Sequence, residues 1–195
     1  MKVKALIISL SGAVLSKMEK KILSKEKPWG VILFKRNLKS LNQIKNLTSQ
    51  IRKLTKNKKF PIIIDEEGEN VSRLKNIIKH NISANFFGKL YNENKTFCLK
   101  LFKHYIFSLS KTLKILGINI NTIPVLDVLR KNTNKVIGNR SFSKDKKIVK
   151  ELGNLAVKCL HSNKISGVIK HIPGHGPSVS DSHKKLPRIS FKLKK

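Results

Sequence analysis

Acidic residues are scarce in this chain: 11 Asp and Glu stand against 42 Lys and Arg, for a formal net charge of +31 over 195 residues. Cysteine is nearly absent too, with only Cys98 and Cys159. Both fall in apolar, helix-periodic stretches, so they read as buried free thiols of a cytoplasmic protein, and a disulfide-stapled scaffold is excluded. No apolar run approaches the roughly 20 residues of a transmembrane helix, so no membrane partner is expected. The N-terminal Lys2 and Lys4, followed by an apolar stretch to Leu10, have the outline of a signal peptide. However, Ser9, Ser11 and Gly12 interrupt the stretch and no small-x-small cleavage site follows, so it reads as a buried first strand. Also missing are finger-type Cys/His spacing, an aromatic RNA-binding motif and an Arg-rich stripe. The positive charge is mostly Lys, spread along the whole chain among recurring Asn and Ile, as drift in base composition leaves it. Solvated lysines on helix faces account for it, and no specific nucleic-acid partner is expected.

What is present is an alternation of short apolar runs and helical periodicity. Strands are expected at residues 6–10, 31–34, 60–64, 120–126 (broken by Pro124) and 167–169. Leu41, Ile44, Leu47, Ile51 and Leu54 mark one helix face, with Ser40 and Gln43 as a capping box. Leu99, Phe102, Ile106, Leu109, Leu113 and Leu116 mark the longest helix, stopped by Gly117. A third helix over about 144–162 has Ser143 as its expected cap and Ile148, Leu152, Leu155 and Cys159 inward. Near-continuous apolar strands separated by helices specify a parallel β/α architecture. With no repeat, linker or low-complexity tract, residues 1–195 form one domain. Five strands are fewer than a closed eight-stranded barrel needs, so two architectures remain: an open doubly wound sheet, or a barrel cut short. The tail, residues 187–195, adds no further unit.

Titratable groups follow several strands directly: Asp65 after Ile64, Asp127 after Leu126, Lys170 and His171 after Ile169. In a parallel sheet these ends share one rim. The cluster Asp65-Glu66-Glu67-Gly68-Glu69 reads either as carboxylates that accept hydrogen bonds from polyol hydroxyls or as a solvated turn. Arg73 either joins the same ligand or neutralises the cluster. Arg140, in the loop Ile137-Gly138-Asn139-Arg140-Ser141-Phe142, either aims its guanidinium into the rim or lies on the surface. Asp181-Ser182-His183 has a carboxylate two residues from an imidazole. It can bond one ring nitrogen, fix the tautomer and leave the other nitrogen to give and take a proton. His171, His175, Asp181 and His183 also form a potential metal-ligand set, but Pro173 and Gly174 keep the first two off a shared helix face, and no metal or cofactor is expected.

Four segments together resemble glycoside hydrolase family 3, specifically its bacterial β-N-acetylhexosaminidases of peptidoglycan recycling. They are Ile64-Asp65-Glu66-Glu67-Gly68 with Val71-Ser72-Arg73-Leu74, Pro124-Val125-Leu126-Asp127-Val128, the Arg140 loop, and Lys170-His171-Ile172-Pro173-Gly174-His175-Gly176 with Asp181-Ser182-His183-Lys184. The resemblance implies a TIM (β/α)8 barrel, here an incomplete one of about the first five β/α units. It implies retaining hydrolysis of terminal, non-reducing β-linked N-acetylglucosamine from muropeptide-derived sugars. Asp65, Arg73, Arg140, Lys170 and His171 would bind the sugar, and His183 would be the general acid/base oriented by Asp181. Two departures stand out. Glu69 and Asn70 occupy positions where the family usually has a second Gly and a basic residue. The family's nucleophilic aspartate lies on a later strand, and no residue here matches it. A second chain completing the barrel, or a catalytically dead sugar-binding remnant, are the corresponding expectations.

Overall fold

The structure, a computed structural model, describes residues 3–79 and 81–188; the last part of the tail, 189–195, lies outside them. Five strands, β1 (Lys4–Ser9), β2 (Pro28–Leu33), β3 (Ile62–Ile64), β4 (Ile120–Asn121) and β5 (Ser166–Gly167), form one sheet in the order β1-β2-β3-β4-β5. Every neighbouring pair is parallel. This order separates the two architectures. A doubly wound sheet reverses its direction of growth at a central strand, whereas barrel strands are laid down in chain order. The five strands are a barrel sector.

Between them lie α1 (Lys17–Lys21), which runs on as a π-helical turn, then α2 (Leu41–Thr55), α3 (Ala84–Glu93), α4 (Lys95–Ile115) and α5 (Lys146–Ser162). The apolar faces read from the sequence are largely the buried ones: Ile44, Leu47 and Ile51 on α2 (Leu41, at its start, is exposed), Phe102, Ile106 and Leu113 on α4, and Ile148, Leu152 and Cys159 on α5. They join Val31, Leu33, Ile62 and Ile64 of the central strands in one core. Gly117 follows α4 at φ +73°, the left-handed turn that a C-terminal stop requires.

Several local expectations are corrected. The first strand is not buried: Leu6 and Ile7 are 54% and 52% exposed, because among the described strands only β2 flanks β1. The fourth strand shrinks to Ile120–Asn121. Pro124 offers no N–H to a ladder, and pairing resumes only as a single bridge between Val125 and Lys170. The fifth strand ends at Gly167, leaving Val168 and Ile169 exposed. The capping box at α2 is half formed. Ser40 Oγ accepts from the Gln43 N–H (3.2 Å), but the Gln43 side chain accepts from Lys39 and donates to Ala13 and Asn37. At α5 the cap is Asp145, which accepts from the Lys147 N–H at 2.7 Å, not Ser143. A full capping box, Ser16 with Glu19, opens α1.

Candidate active site

The end of β3 releases the acidic run into three different environments. Asp65 Oδ2 accepts from Arg73 Nη2 at 2.9 Å and Asp65 Oδ1 from the Thr122 hydroxyl at 2.6 Å. Glu66 is fully buried. Its Oε2 accepts from the backbone N–H groups of Arg73 (2.8 Å) and Leu74 (2.9 Å), which folds the 65–74 loop back on itself. Asn121 clamps the Glu66 backbone from β4, accepting at 3.0 Å and donating at 2.9 Å. Glu67 takes both arms of Arg140: Nε to Oε2 at 2.7 Å and Nη2 to Oε1 at 2.9 Å. The two side chains are only 6% and 13% exposed. The solvated-turn and surface-arginine alternatives are thereby excluded.

Lys170, three residues past β5 and bridged to Val125, closes the network. Its Nζ contacts Glu67 Oε1, donates to Thr122 Oγ1 at 2.9 Å and lies 3.8 Å from Asp65 Oδ1. Two carboxylates, Asp65 and Glu67, thus meet three cations, Arg73, Arg140 and Lys170, on one rim, in a chain that is otherwise heavily basic. Burial alone would raise the Asp65 carboxyl. The bonds from Thr122 and Arg73, with the charges of Lys170 and Arg73, bring it below the usual carboxylate value. For Arg140, burial pulls the guanidinium down, and its bonds and charge pairing with Glu67 more than reverse this.

His171, joined to Lys170 by a cis peptide, turns its Nδ1 to Asp127 Oδ2 at 2.5 Å. Asp127 is buried, and its Oδ1 accepts the backbone N–H of His175 at 2.5 Å. Burial pushes the Asp127 carboxyl up, and the His171 bond, the His175 N–H and both imidazoles outweigh it, leaving it low. The His175 ring packs edge-on to His171 at 5.9 Å. The loop that carries both rings sits tightly on the stretch after β4. A Cβ on Gly176 would stand 2.1 Å from the Val128 carbonyl oxygen, so only glycine fits.

Farther along, His183 Nδ1 lies 2.8 Å from Asp181 Oδ1, and the same oxygen accepts the His183 N–H at 2.9 Å. The His183 side chain is 79% exposed, which leaves Nε2 open to solvent. The bonds from the His183 backbone and ring hold the Asp181 carboxyl below its ordinary value. Both groups of residues line one open cleft of about 650 Å³: Asp65, Glu67, Arg73, Arg140, Lys170, His171, His175 and His183 all border it. Asp181 does not line it and is joined to it through His183. Sequence reasoning thus named residues that the fold gathers on one cleft; it set Asp127 on the rim and Glu67 in the acidic run without a role for either, and passed over Thr122 and Asn121. Asp127 had a signal, its place after an apolar strand; Thr122 had none.

Of the four candidate metal ligands, His183 pairs with Asp181, His171 turns to Asp127, which is outside the set, and His175 packs edge-on to His171. Among the described residues no cluster of three or more His, Cys, Asp or Glu is placed to hold a metal ion, and no helix is long and apolar enough to cross a membrane.

Residues 2–195 match the family model for the glycosyl hydrolase family 3 N-terminal domain. A β-hexosaminidase of Xanthomonas campestris pv. campestris is 30% identical over 178 residues, covering 91% of this chain and 53% of the relative. One from Stenotrophomonas maltophilia is likewise 30% identical, over 91% and 52%. The chain spans about half the length of the relatives it matches. The crystal structure of NagZ from Neisseria gonorrhoeae in complex with N-trifluoroacetyl-D-glucosamine superposes with a TM-score of 0.89 at 29% identity, over 98% of this chain and 56% of that one. The sheet order agrees with these matches: the chain belongs to glycosyl hydrolase family 3, within its N-terminal, TIM-barrel-like domain.

Proposed function

We propose that the chain is the sugar-binding half of a β-N-acetylhexosaminidase. Its substrate is a terminal, non-reducing β-linked N-acetylglucosamine on a peptidoglycan-derived sugar of the cytoplasm, released during cell-wall recycling. One observation carries the reading: the charge-paired rim and His183, which Asp181 holds at Nδ1, border the same cleft. The β-hexosaminidase names of the relatives and the N-acylglucosamine bound by the Neisseria protein support the substrate class. Buried free thiols at Cys98 and Cys159 fit a reducing compartment.

In this reading Asp65, Arg73, Arg140, Lys170 and His171 bind sugar hydroxyls. Such groups suit the task because carboxylate, guanidinium and ammonium form charge-assisted hydrogen bonds. His183 Nε2 gives a proton to the leaving glycosidic oxygen and then takes one from water, the two-step duty of a retaining enzyme. Asp181 orients the ring through Nδ1 and stabilises its charged form. The nucleophilic carboxylate, and the strands that would complete the barrel, belong to a further segment or a second chain.

A second reading, a sugar-binding remnant without turnover, is favoured by one observation. The cleft's own carboxylates are occupied, Asp65 by Arg73 and Thr122, Glu67 by Arg140 and Lys170. Neither is free to attack an anomeric carbon. A chromogenic β-N-acetylglucosaminide, with binding measured in parallel by calorimetry, separates the two. Turnover that His183→Ala reduces at least about 100-fold supports the enzyme. Binding without turnover supports the remnant, and absence of both overturns the carbohydrate reading.

A further inference from the structure

We infer that Asp127 is a positioning residue: it locks His171 in the tautomer that carries its proton on Nδ1, so that Nε2 meets the cleft as a hydrogen-bond acceptor. The inference deepens the proposed sugar site and rests on that reading for its functional consequence, though its structural half does not.

The geometry is over-determined. Asp127 is a buried carboxylate with its two oxygens aimed at two donors: the His175 N–H on Oδ1 and His171 Nδ1 on Oδ2, both at 2.5 Å. An ionised carboxylate only accepts, so Nδ1 must carry a hydrogen. On the far edge of the ring, Arg140 Nη2 stands 3.4 Å from His171 Nε2. A guanidinium only donates, so the neutral ring presents a lone pair there. The two charged neighbours thus demand the same tautomer from opposite sides. The single lone pair of His171 Nε2 meets Arg140 only at 3.4 Å, and a sugar hydroxyl that takes the place of this long contact donates to it, while Arg140 and Lys170 beside it donate to the sugar. The cleft gains an acceptor that its ion-paired carboxylates do not supply.

Asp127→Asn tests this without changing shape. Its amide oxygen keeps the bond from the His175 N–H, which turns the NH2 group towards His171. Nδ1 must then give up its hydrogen, and the proton moves to Nε2, donor against donor with Arg140. The other amide orientation would point NH2 at the His175 N–H. Nitrogen-15 spectra of the imidazoles, recorded on the full chain at alkaline pH, read the tautomer directly. The wild type should show His171 protonated at Nδ1, and Asp127→Asn should show it protonated at Nε2, with the His183 signals unchanged. N-acetylglucosamine should bind Asp127→Asn about tenfold more weakly, and His171→Ala to a similar degree. A wild-type His171 protonated at Nε2 overturns the assignment whether or not the variant folds, and so does the same tautomer in both proteins. If the wild type has the expected tautomer and binds no N-acetylglucosamine, the sugar reading fails while the role of Asp127 stands.

Discussion

The rim and the loop beyond it are built in opposite ways. On the rim the carboxylates are each held from two directions: Glu67 by Arg140 and Lys170, Asp65 by Arg73 and Thr122, Asp127 by His171 and the His175 backbone. In the loop, His183 is held by one carboxylate two residues away and is otherwise open to water. The rim is therefore part of the fold's stability, and the loop is nearly independent of it. For a sugar site this division is sensible. Recognition of fixed hydroxyls gains from groups that need no reorganisation, while a residue that must first donate and then accept a proton needs an exchangeable, solvent-accessible nitrogen.

The sharpest way to break the contrast is to remove the rim's hub. Glu67→Gln leaves Arg140 and Lys170 facing each other without their shared counter-charge, and should lower unfolding free energy by about 3 kcal/mol, read from urea denaturation. A loss below about 1 kcal/mol would mean that the rim is a set of independent surface pairs. Arg140→Lys keeps the charge and loses the two-armed fork. It should cost about 1–2 kcal/mol and weaken N-acetylglucosamine binding in calorimetry.

Acid sharpens the same comparison. The folded-state carboxyls of Asp65 and Asp127 lie below their ordinary value. The stability they contribute is therefore complete above the unfolded value of about 3.9 and is lost as pH falls through the folded ones. Urea midpoints should drop steeply below about pH 4. Asp65→Asn should flatten that drop, and Asp181→Asn, whose bond to His183 is screened by solvent in the exposed loop, should flatten it far less. The smallest effect is expected of His183→Ala, whose unfolding midpoint should coincide with the wild type; a lowered midpoint would show the loop to be structurally tied to the rim.

The sequence announced some of this better than the rest, for physical reasons. Asp65, Lys170 and His171 were legible because a parallel sheet sends the ends of its strands to one edge, and polar residues after apolar runs mark those ends. Asp181 and His183 were legible because their pairing is local. Glu67 was not, because its partner Arg140 lies 73 residues away and nothing in an acidic run says which member turns inward. Five of the chain's 11 acids, Asp65, Glu66, Glu67, Asp127 and Asp181, are in this site, a concentration that only the folded chain makes apparent. At the level of single elements, Ser143 and Asp145 could each cap α5, and the choice fell to the residue whose carboxylate reaches the Lys147 N–H. The fourth strand was overdrawn because apolar content continues past Asn121 while Pro124 ends the ladder.

The central claim is that the rim and the loop serve one ligand. Its most direct test is a titration with N-acetylglucosamine followed at the ring resonances of His171 and His183 in one sample. Both rings should shift along a single saturation curve, with Arg140→Lys displacing both curves together. If His171 responds while His183 stays fixed, or neither moves at saturating sugar, the two regions do not form one site.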